Sequence, residues 1–114
     1  MSSDKPLLFA FSNPAEGRED DFNTWYDDVH IADVLKVPGI VSAQRYALAP
    51  GARNAHRYLA VYEVDGDPTA AAKALFAGLK SGEIPMSDVI DAPNAAISVW
   101  VPQNRGSSIR HNRP

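Results

Sequence analysis

The sequence predicts an α+β domain of the ferredoxin-like kind, a four-stranded antiparallel sheet with both helices on one face. The hydrophobic patterns run in the order β-α-β-β-α-β, and right-handed crossovers place two helices on the same side of such a sheet. The chain of 114 residues is long enough for one domain. We expect this domain to occupy residues 1–102 and a flexible basic tail to occupy 103–114.

Short runs of apolar, β-branched and aromatic residues predict four strands, at 7–12, 40–49, 57–64 and 95–101. Turn residues close these runs: Asn13-Pro14 follows the first strand and Pro102 follows the last. The segments 50–56 and 83–94 are predicted to be loops.

Two helices are predicted between these strands. The first covers 19–36, carries acids in its first turn, where the helix dipole favours them, and ends before Val37-Pro38-Gly39. The second starts after Asp67, a typical N-cap, with Pro68 at its first position, and stops near Gly82.

The strands are apolar on both faces, since Phe9 and Phe11 alternate with Leu8 and Ala10. Two helices cover one face of a sheet, so the other face would expose a large apolar patch. We therefore expect a homodimer that packs sheet on sheet.

Composition excludes several classes of protein. The net charge is -3, opposite in sign to a typical small nucleic-acid binder. The chain has no cysteine, hence no disulfide, thiolate nucleophile or cysteine-held metal. No apolar run approaches the roughly 20 residues that cross a bilayer, and Met1-Ser2-Ser3-Asp4-Lys5 lacks a signal-peptide pattern. We predict a cytoplasmic protein without nucleic-acid or membrane partners.

Charge is unevenly spread. Residues 16–33 contain seven acids and one base, whereas the tail contains Arg105, Arg110 and Arg113 and no acid. The tail is either a solvated terminus or an arm that lies on the acidic helix of a partner subunit.

One constellation in the first helix has catalytic potential. On a helical wheel, an apolar stripe faces the sheet, with His30 at its edge and Asp33 near its centre. The stripe consists of Phe22, Trp25, Tyr26 and Val29. Residues three apart share a helix face, so Asp33 could accept from one nitrogen of His30 and leave the other as a base. The alternative is a structural histidine at the helix–sheet seam, with Asp33 exposed.

Topology brings further side chains to the His30 end of the sheet. Ser42, Tyr62 and Trp100 are expected there if their side chains point toward the helices. Arg45 and Tyr46 lie further along the second strand, where they could bind an acidic or carbonyl group. The aromatic residues, Tyr26 included, are either substrate-binding or simply core.

The histidines do not form a metal site by spacing. His56 and His111 lie in a loop and in the tail, and one straight helix would present Asp27 about 120° from Asp33. We therefore predict no metal and no cofactor.

The segment Phe11-Ser12-Asn13-Pro14, followed by Phe22-Asn23-x-Trp25-Tyr26-x-x-Val29-His30 and the turn Val37-Pro38-Gly39, resembles the dimeric α+β barrel superfamily. The EthD-like branch is the most similar, and the resemblance covers residues 7–102. It implies a homodimer with a small pocket between helices and sheet, and it makes His30 the counterpart of the family's helix histidine. The superfamily includes cofactor-free monooxygenases, cyclases, dehydratases, isomerases and haem enzymes, so architecture is better defined than reaction.

Two functions follow. In the first, a cofactor-independent enzyme of the isomerase, dehydratase or cyclase type acts on an apolar carbonyl or phenolic substrate. His30 transfers a proton, Asp33 orients it, and Tyr26 or Tyr62 binds the developing oxyanion. In the second, the protein is a non-catalytic ligand-binding or stress-responsive homodimer in which His30 is structural.

Overall fold

The computed structural model describes residues 4–103. Its strands are β1 (Leu7–Ser12), β2 (Ile40–Ala47), β3 (Tyr58–Val64) and β4 (Ala96–Trp100). They form one antiparallel sheet in the order β2-β3-β1-β4, as the ferredoxin-like prediction requires. The predicted strands are each confirmed, one or two residues shorter at some ends. The tail beyond Gln103, with Arg105, Arg110, His111 and Arg113, lies outside the described residues.

The first helical region differs from the uniform helix predicted over 19–36. It consists of α1 (Glu19–Trp25), a π-helical turn (Tyr26–His30) and α2 (Ile31–Val34), without a break between them. A π turn forms hydrogen bonds from residue i to residue i+5 and so is wider than an α turn. Residues after it are therefore displaced from the positions that a straight wheel assigns.

This displacement corrects the predicted apolar stripe. Val29 is exposed, and Val34, with 1% exposure, takes the core position that the wheel gave to Asp33. His30 moves from the edge of the stripe to a buried position. Trp25 and His30, five residues apart, come to the same side of the helix, which a continuous α-helix would not allow.

The second long helix, α3 (Pro68–Ser81), is bounded as its sequence indicates. The Asp67 side chain accepts a hydrogen bond from the Thr69 N–H at 2.9 Å, and Gly82 ends the helix at φ +88°. The segment after it includes a 3₁₀ turn (Ala92–Asn94) and pairs with the chain after β1 through a bridge between Pro14 and Ile90.

The hydrophobic core lies between the helices and one face of the sheet. That face carries alternate residues of β1 and β3, and these pack against the first helical region and α3. The largest fully buried side chains are Tyr62, Phe22, Leu8, Val34 and Val64. The described part of the chain contains no helix long and apolar enough to cross a membrane.

Candidate functional site

The π turn places His30 inside the seam between the first helical region and the sheet. The His30 side chain is 6% exposed, and its ring stacks on the indole of Trp25 at 4.5 Å with 24° between planes. The Tyr26 ring meets it edge-on at 4.9 Å. Because π turns recur at functional sites, this turn marks the region independently of the histidine.

Burial changes the chemistry of the imidazole. It lowers the pKa of His30 from its ordinary 6.5 to about 4, although the charge of Asp33 offsets part of this effect. His30 is therefore neutral at physiological pH. The helical wheel placed His30 at the edge of the apolar stripe, and the burial of its ring comes with the π turn, which a uniform wheel does not include.

The expected hydrogen bond between His30 and Asp33 is not formed. His30 Nδ1 is buried without a hydrogen-bond partner among the described residues. Asp33 instead approaches Lys36, with Oδ1 and Nζ 3.6 Å apart. The π turn is the reason, since it directs Asp33 away from the seam.

Two more buried polar atoms in the described part of the chain complete no hydrogen bond of regular geometry: the hydroxyls of Ser12 and Tyr62, which approach the Tyr26 hydroxyl. Ser12 is 2% exposed and Tyr62 is 1% exposed. Both side chains belong to the helix-facing side of the sheet, on the adjacent strands β1 and β3. A buried polar group without a partner is uncommon and calls for a physical explanation.

Tyr26 links these groups. Burial raises the pKa of its phenol, and hydrogen bonding to the Tyr62 hydroxyl, the charge of Arg45 and hydrogen bonding to the Ser12 hydroxyl each offset part of that rise. Burial likewise raises the pKa of Tyr62, and the proximity of Tyr26 adds to the rise. Both phenols therefore remain protonated at physiological pH and can donate hydrogen bonds.

Arg45 enters the same seam from β2. Its guanidinium carbon lies 4.5 Å from the centre of the Tyr26 ring and 5.3 Å from that of Tyr58. One terminal nitrogen donates to Asp27 at 2.9 Å and the other donates to Asn23 at 2.9 Å. The cation predicted to bind an acidic ligand is thus already paired by the helix.

Three of the predicted neighbours lie on the opposite side of the sheet from His30. Trp100 stacks near Phe9 with ring centres 5.7 Å apart, on the face that the helices leave open. Tyr46 is 53% exposed and Ser42 donates to Glu63 at 2.7 Å on that same face. Within one chain, Tyr46 and Trp100 do not join the group around His30, because their strand positions have the other parity.

Two cavities flank the seam. One, of about 600 Å³, lies between the end of the first helical region and α3 and includes Asp33 and Lys36 in its lining. The other, of about 230 Å³, opens beside Arg45 and Asn23. His30 lines neither of them. Across residues 4–103, no three histidine, aspartate or glutamate side chains are arranged to hold a metal ion.

Comparison with solved structures confirms the fold that the sequence predicts. HapK from Hahella chejuensis superposes with a TM-score of 0.59 and 17% identity, over 94% of this chain and 99% of that one. An EthD family protein from Bacillus halodurans superposes with a TM-score of 0.55 and 16% identity, over 82% of this chain and 96% of that one. The fold is that of the EthD-like α+β proteins. No protein-family model and no curated protein matches the sequence.

At 16% and 17% identity, the comparison shows the fold alone. It says nothing about individual residues. Any role for the side chains in the seam is therefore argued from the geometry of this chain. Sequence reasoning selected His30, Tyr26 and Tyr62, but it missed Ser12. The alternation of the first strand could have identified Ser12, since it continues the helix-facing series of Leu8 and Ala10.

Proposed function

We propose that this protein is a cofactor-independent enzyme that transfers a proton on a small, largely apolar carbonyl or phenolic compound bound beside His30. Isomerisation, dehydration and cyclisation are reactions of this kind. The supporting observation is the buried His30 Nδ1, which has no hydrogen-bond partner among the described residues, beside the buried hydroxyl cluster of Ser12, Tyr26 and Tyr62, in which Ser12 and Tyr62 complete no regular hydrogen bond. Each such atom costs about 1–3 kcal/mol, and a ligand oxygen would recover that cost.

His30 handles the proton in this proposal. The neutral imidazole can donate an N–H to a carbonyl oxygen or accept a proton from the carbon next to it. In the empty protein it is a weak base, because burial opposes its charged form. Negative charge that develops on the substrate oxygen favours the imidazolium and so strengthens the base when it is needed.

The reaction creates a positive charge on His30 and a negative charge on the substrate oxygen, and neighbouring side chains stabilise both. Asp33 acts through its charge on His30 rather than through a hydrogen bond. Tyr26 and Tyr62, both protonated, donate to the developing oxyanion. Arg45 stabilises the Tyr26 ring from behind and holds the helix against the sheet.

The homodimer belongs to the same proposal. The open face of the sheet carries Phe9, Phe11, Leu59, Val61 and Trp100, an apolar surface that a second copy would cover. We assign Tyr46 and Trp100 to this interface, since both lie on the open face of the sheet. Light scattering should give about twice the mass of one chain, and a stable monomer at micromolar concentration would contradict the assignment.

Exchange of α-protons tests the catalytic proposal without knowledge of the natural substrate. Small ketones such as cyclohexanone and acetophenone are incubated in D₂O, and loss of their α-proton signals is followed by ¹H NMR. The wild type should accelerate exchange, and His30→Ala should reduce the rate about 100-fold, the scale of a general acid–base residue. His56→Ala is the matched control, because that ring lies outside the seam and contacts the Asn94 carbonyl.

A rate for His30→Ala within a few-fold of wild type would remove His30 from the mechanism. The non-catalytic alternative is favoured by the enclosure of the His30 ring beneath Trp25 and by the burial that lowers the pKa of His30 to about 4. In that case the wild type would bind such ketones without exchanging their protons, and ligand-observed NMR on the same samples would show it.

A further inference from the structure

Another cavity lies at the hairpin end of the open face of the sheet. Its volume is about 240 Å³, and part of its lining comes from Phe11, Tyr46 and Leu59. These residues lie side by side on adjacent strands, since Leu59 pairs with both Phe11 and Tyr46. His56, from the loop between β2 and β3, contributes another part of the lining. The three strand residues face away from the helices, so this cavity is distinct from the seam around His30.

Hydrogen bonds on both sides of His56 hold its loop against the end of β1. The Asn13 side-chain amide donates to the Ala55 carbonyl at 3.0 Å, and its oxygen accepts from the Arg57 N–H at 2.7 Å. The centre of the His56 ring lies 5.6 Å from that of Phe11. The backbone around His56 is therefore fixed on both sides, and its ring lies against the aromatic floor of the cavity.

One contact determines which ring nitrogen of His56 can accept a hydrogen bond. Nε2 lies 2.7 Å from the backbone carbonyl oxygen of Asn94. Because a carbonyl oxygen only accepts, Nε2 carries the hydrogen of the neutral imidazole and Nδ1 carries the lone pair. The ring thus brings one hydrogen-bond acceptor to a lining that is otherwise largely apolar and aromatic.

The lining and the volume of the cavity define what it can hold. Three of its side chains, Phe11, Tyr46 and His56, carry aromatic rings, which associate with other rings in offset or edge-to-face arrangements. The volume is below the roughly 300–1,000 Å³ of pockets that bind drug-sized molecules. A compound of one ring or two fused rings is therefore the appropriate size.

We propose that this cavity is a second binding site, which takes a small aromatic compound with one N–H or O–H group and binds that donor at Nδ1 of His56. The apolar lining binds the ring of the compound, and the acceptor selects compounds that can donate. This site is separate from the proton transfer proposed at His30. Tyr46 borders both the cavity and the proposed homodimer interface, so binding is measured on the protein in its own oligomeric state.

Two probes that differ by one methyl group test the role of His56. Indole can donate its N–H, whereas N-methylindole cannot. At pH 8, wild type should bind indole about 5-fold more tightly than N-methylindole, the scale of one neutral hydrogen bond. His56→Phe keeps an aromatic ring and removes both ring nitrogens, so it should bind the two probes with equal affinity. NMR titration measures the dissociation constants.

Two tryptophan substitutions test where the probes bind. Ala49 lines this cavity, and Ala49→Trp should fill it and abolish binding of both probes. Ala77 lines the cavity of about 600 Å³ beside α3, and Ala77→Trp adds the same bulk there, so it should leave both affinities unchanged. Both alanines are exposed, and neither substitution should disturb the fold.

Each result decides the proposal. Equal affinity of wild type for the two probes would overturn it and leave His56 with its structural contact to Asn94 alone. An equal loss of both probes in His56→Phe, or full binding by Ala49→Trp, would overturn it as well. If wild type binds neither probe, the cavity is closed in solution and the second site does not exist, while the proton transfer proposed at His30 stands.

Discussion

The seam between the first helical region and the sheet has two ends that treat polar groups in opposite ways. At the Arg45 end, the guanidinium donates to Asp27 and Asn23, and Asn23 donates in turn to the Tyr58 hydroxyl at 3.2 Å. The Tyr58 hydroxyl donates to Glu19, which also accepts from a neighbouring arginine. We call this set the paired end.

At the other end, the buried polar atoms of His30 and Tyr62 complete no regular hydrogen bond among the described residues. We call these two the unpaired end. Both ends touch the same aromatic residues and are held by the same helix and strands, so the difference does not arise from the scaffold. A paired group contributes to stability, whereas an unpaired one lowers it unless something else binds there. In the proposed function, the paired end fixes the helix and the unpaired end receives the ligand.

The largest expected effect concerns the pH dependence of the unpaired end. The folded state protonates His30 only below a pKa of about 4, whereas an unfolded histidine does so below about 6.5. Between these values the unfolded state binds more protons, so stability is fully present above pH 6.5 and is lost as pH falls toward 4. The loss should total about 3 kcal/mol for this one group.

Urea unfolding of wild type and His30→Gln between pH 7 and 4 measures this loss. The glutamine does not titrate, so the two curves should differ in slope across that window while sharing the background from carboxylates such as Glu19. Parallel curves would mean that His30 is solvated in solution and that the unpaired end is open to water. An NMR titration of the His30 ring should locate the same midpoint.

A smaller loss is expected at the paired end. Arg45→Ala removes the guanidinium from the faces of Phe22, Tyr26 and Tyr58 and deletes the aliphatic stem that packs beside them. We expect the free energy of unfolding to fall by about 2 kcal/mol, chiefly from the ring contacts and packing. The ion pair with Asp27 should contribute little, since that carboxylate is 61% exposed.

Urea denaturation checks this value, and Arg45→Met separates its parts because it keeps much of the stem without the charge. Arg53→Ala, in an exposed loop, should leave stability unchanged. An Arg45→Ala variant as stable as wild type would show that the paired end does not hold the helix.

The contrast between the ends also explains what could be read from sequence. The strands, α3 and its cap at Asp67 follow from local pattern and turn chemistry, and the structure confirms them. The π turn does not follow, because it depends on packing of the helix against the sheet rather than on a residue type. The wider π turn buries His30, exposes Val29 and separates His30 from Asp33. A helical wheel drawn at 100° per residue along the whole helix cannot predict this change.

The face of the sheet on which each strand residue lies is the second feature that the sequence left undetermined. Alternation showed that both faces of the sheet are apolar, yet it did not say which face meets the helices. Both Tyr62 and Trp100 were expected near His30 on the condition that they point toward the helices. Tyr62 lies on the helix-facing side of the sheet, whereas Trp100 lies on the open face.

The smallest expected change in stability comes from the most direct comparison of the two ends. Strand β3 carries Tyr58 at the paired end and Tyr62 at the unpaired end, on the same face of the sheet. Tyr58→Phe deletes a hydroxyl bonded to Glu19 and Asn23, and it should lower the free energy of unfolding by about 1 kcal/mol. Tyr62→Phe deletes a buried hydroxyl without a partner, and it should leave stability unchanged or raise it by up to about 1 kcal/mol.

Both changes keep the ring and the strand, so packing is a common factor and the sign of the difference reports on pairing alone. Urea unfolding at pH 7 resolves differences of this size when the two variants are measured side by side. If Tyr62→Phe is as destabilising as Tyr58→Phe, the Tyr26 hydroxyl or a bound water already pairs the Tyr62 hydroxyl in the empty protein. A ligand oxygen would then have to displace that partner, and the gain from binding at the unpaired end would be correspondingly smaller.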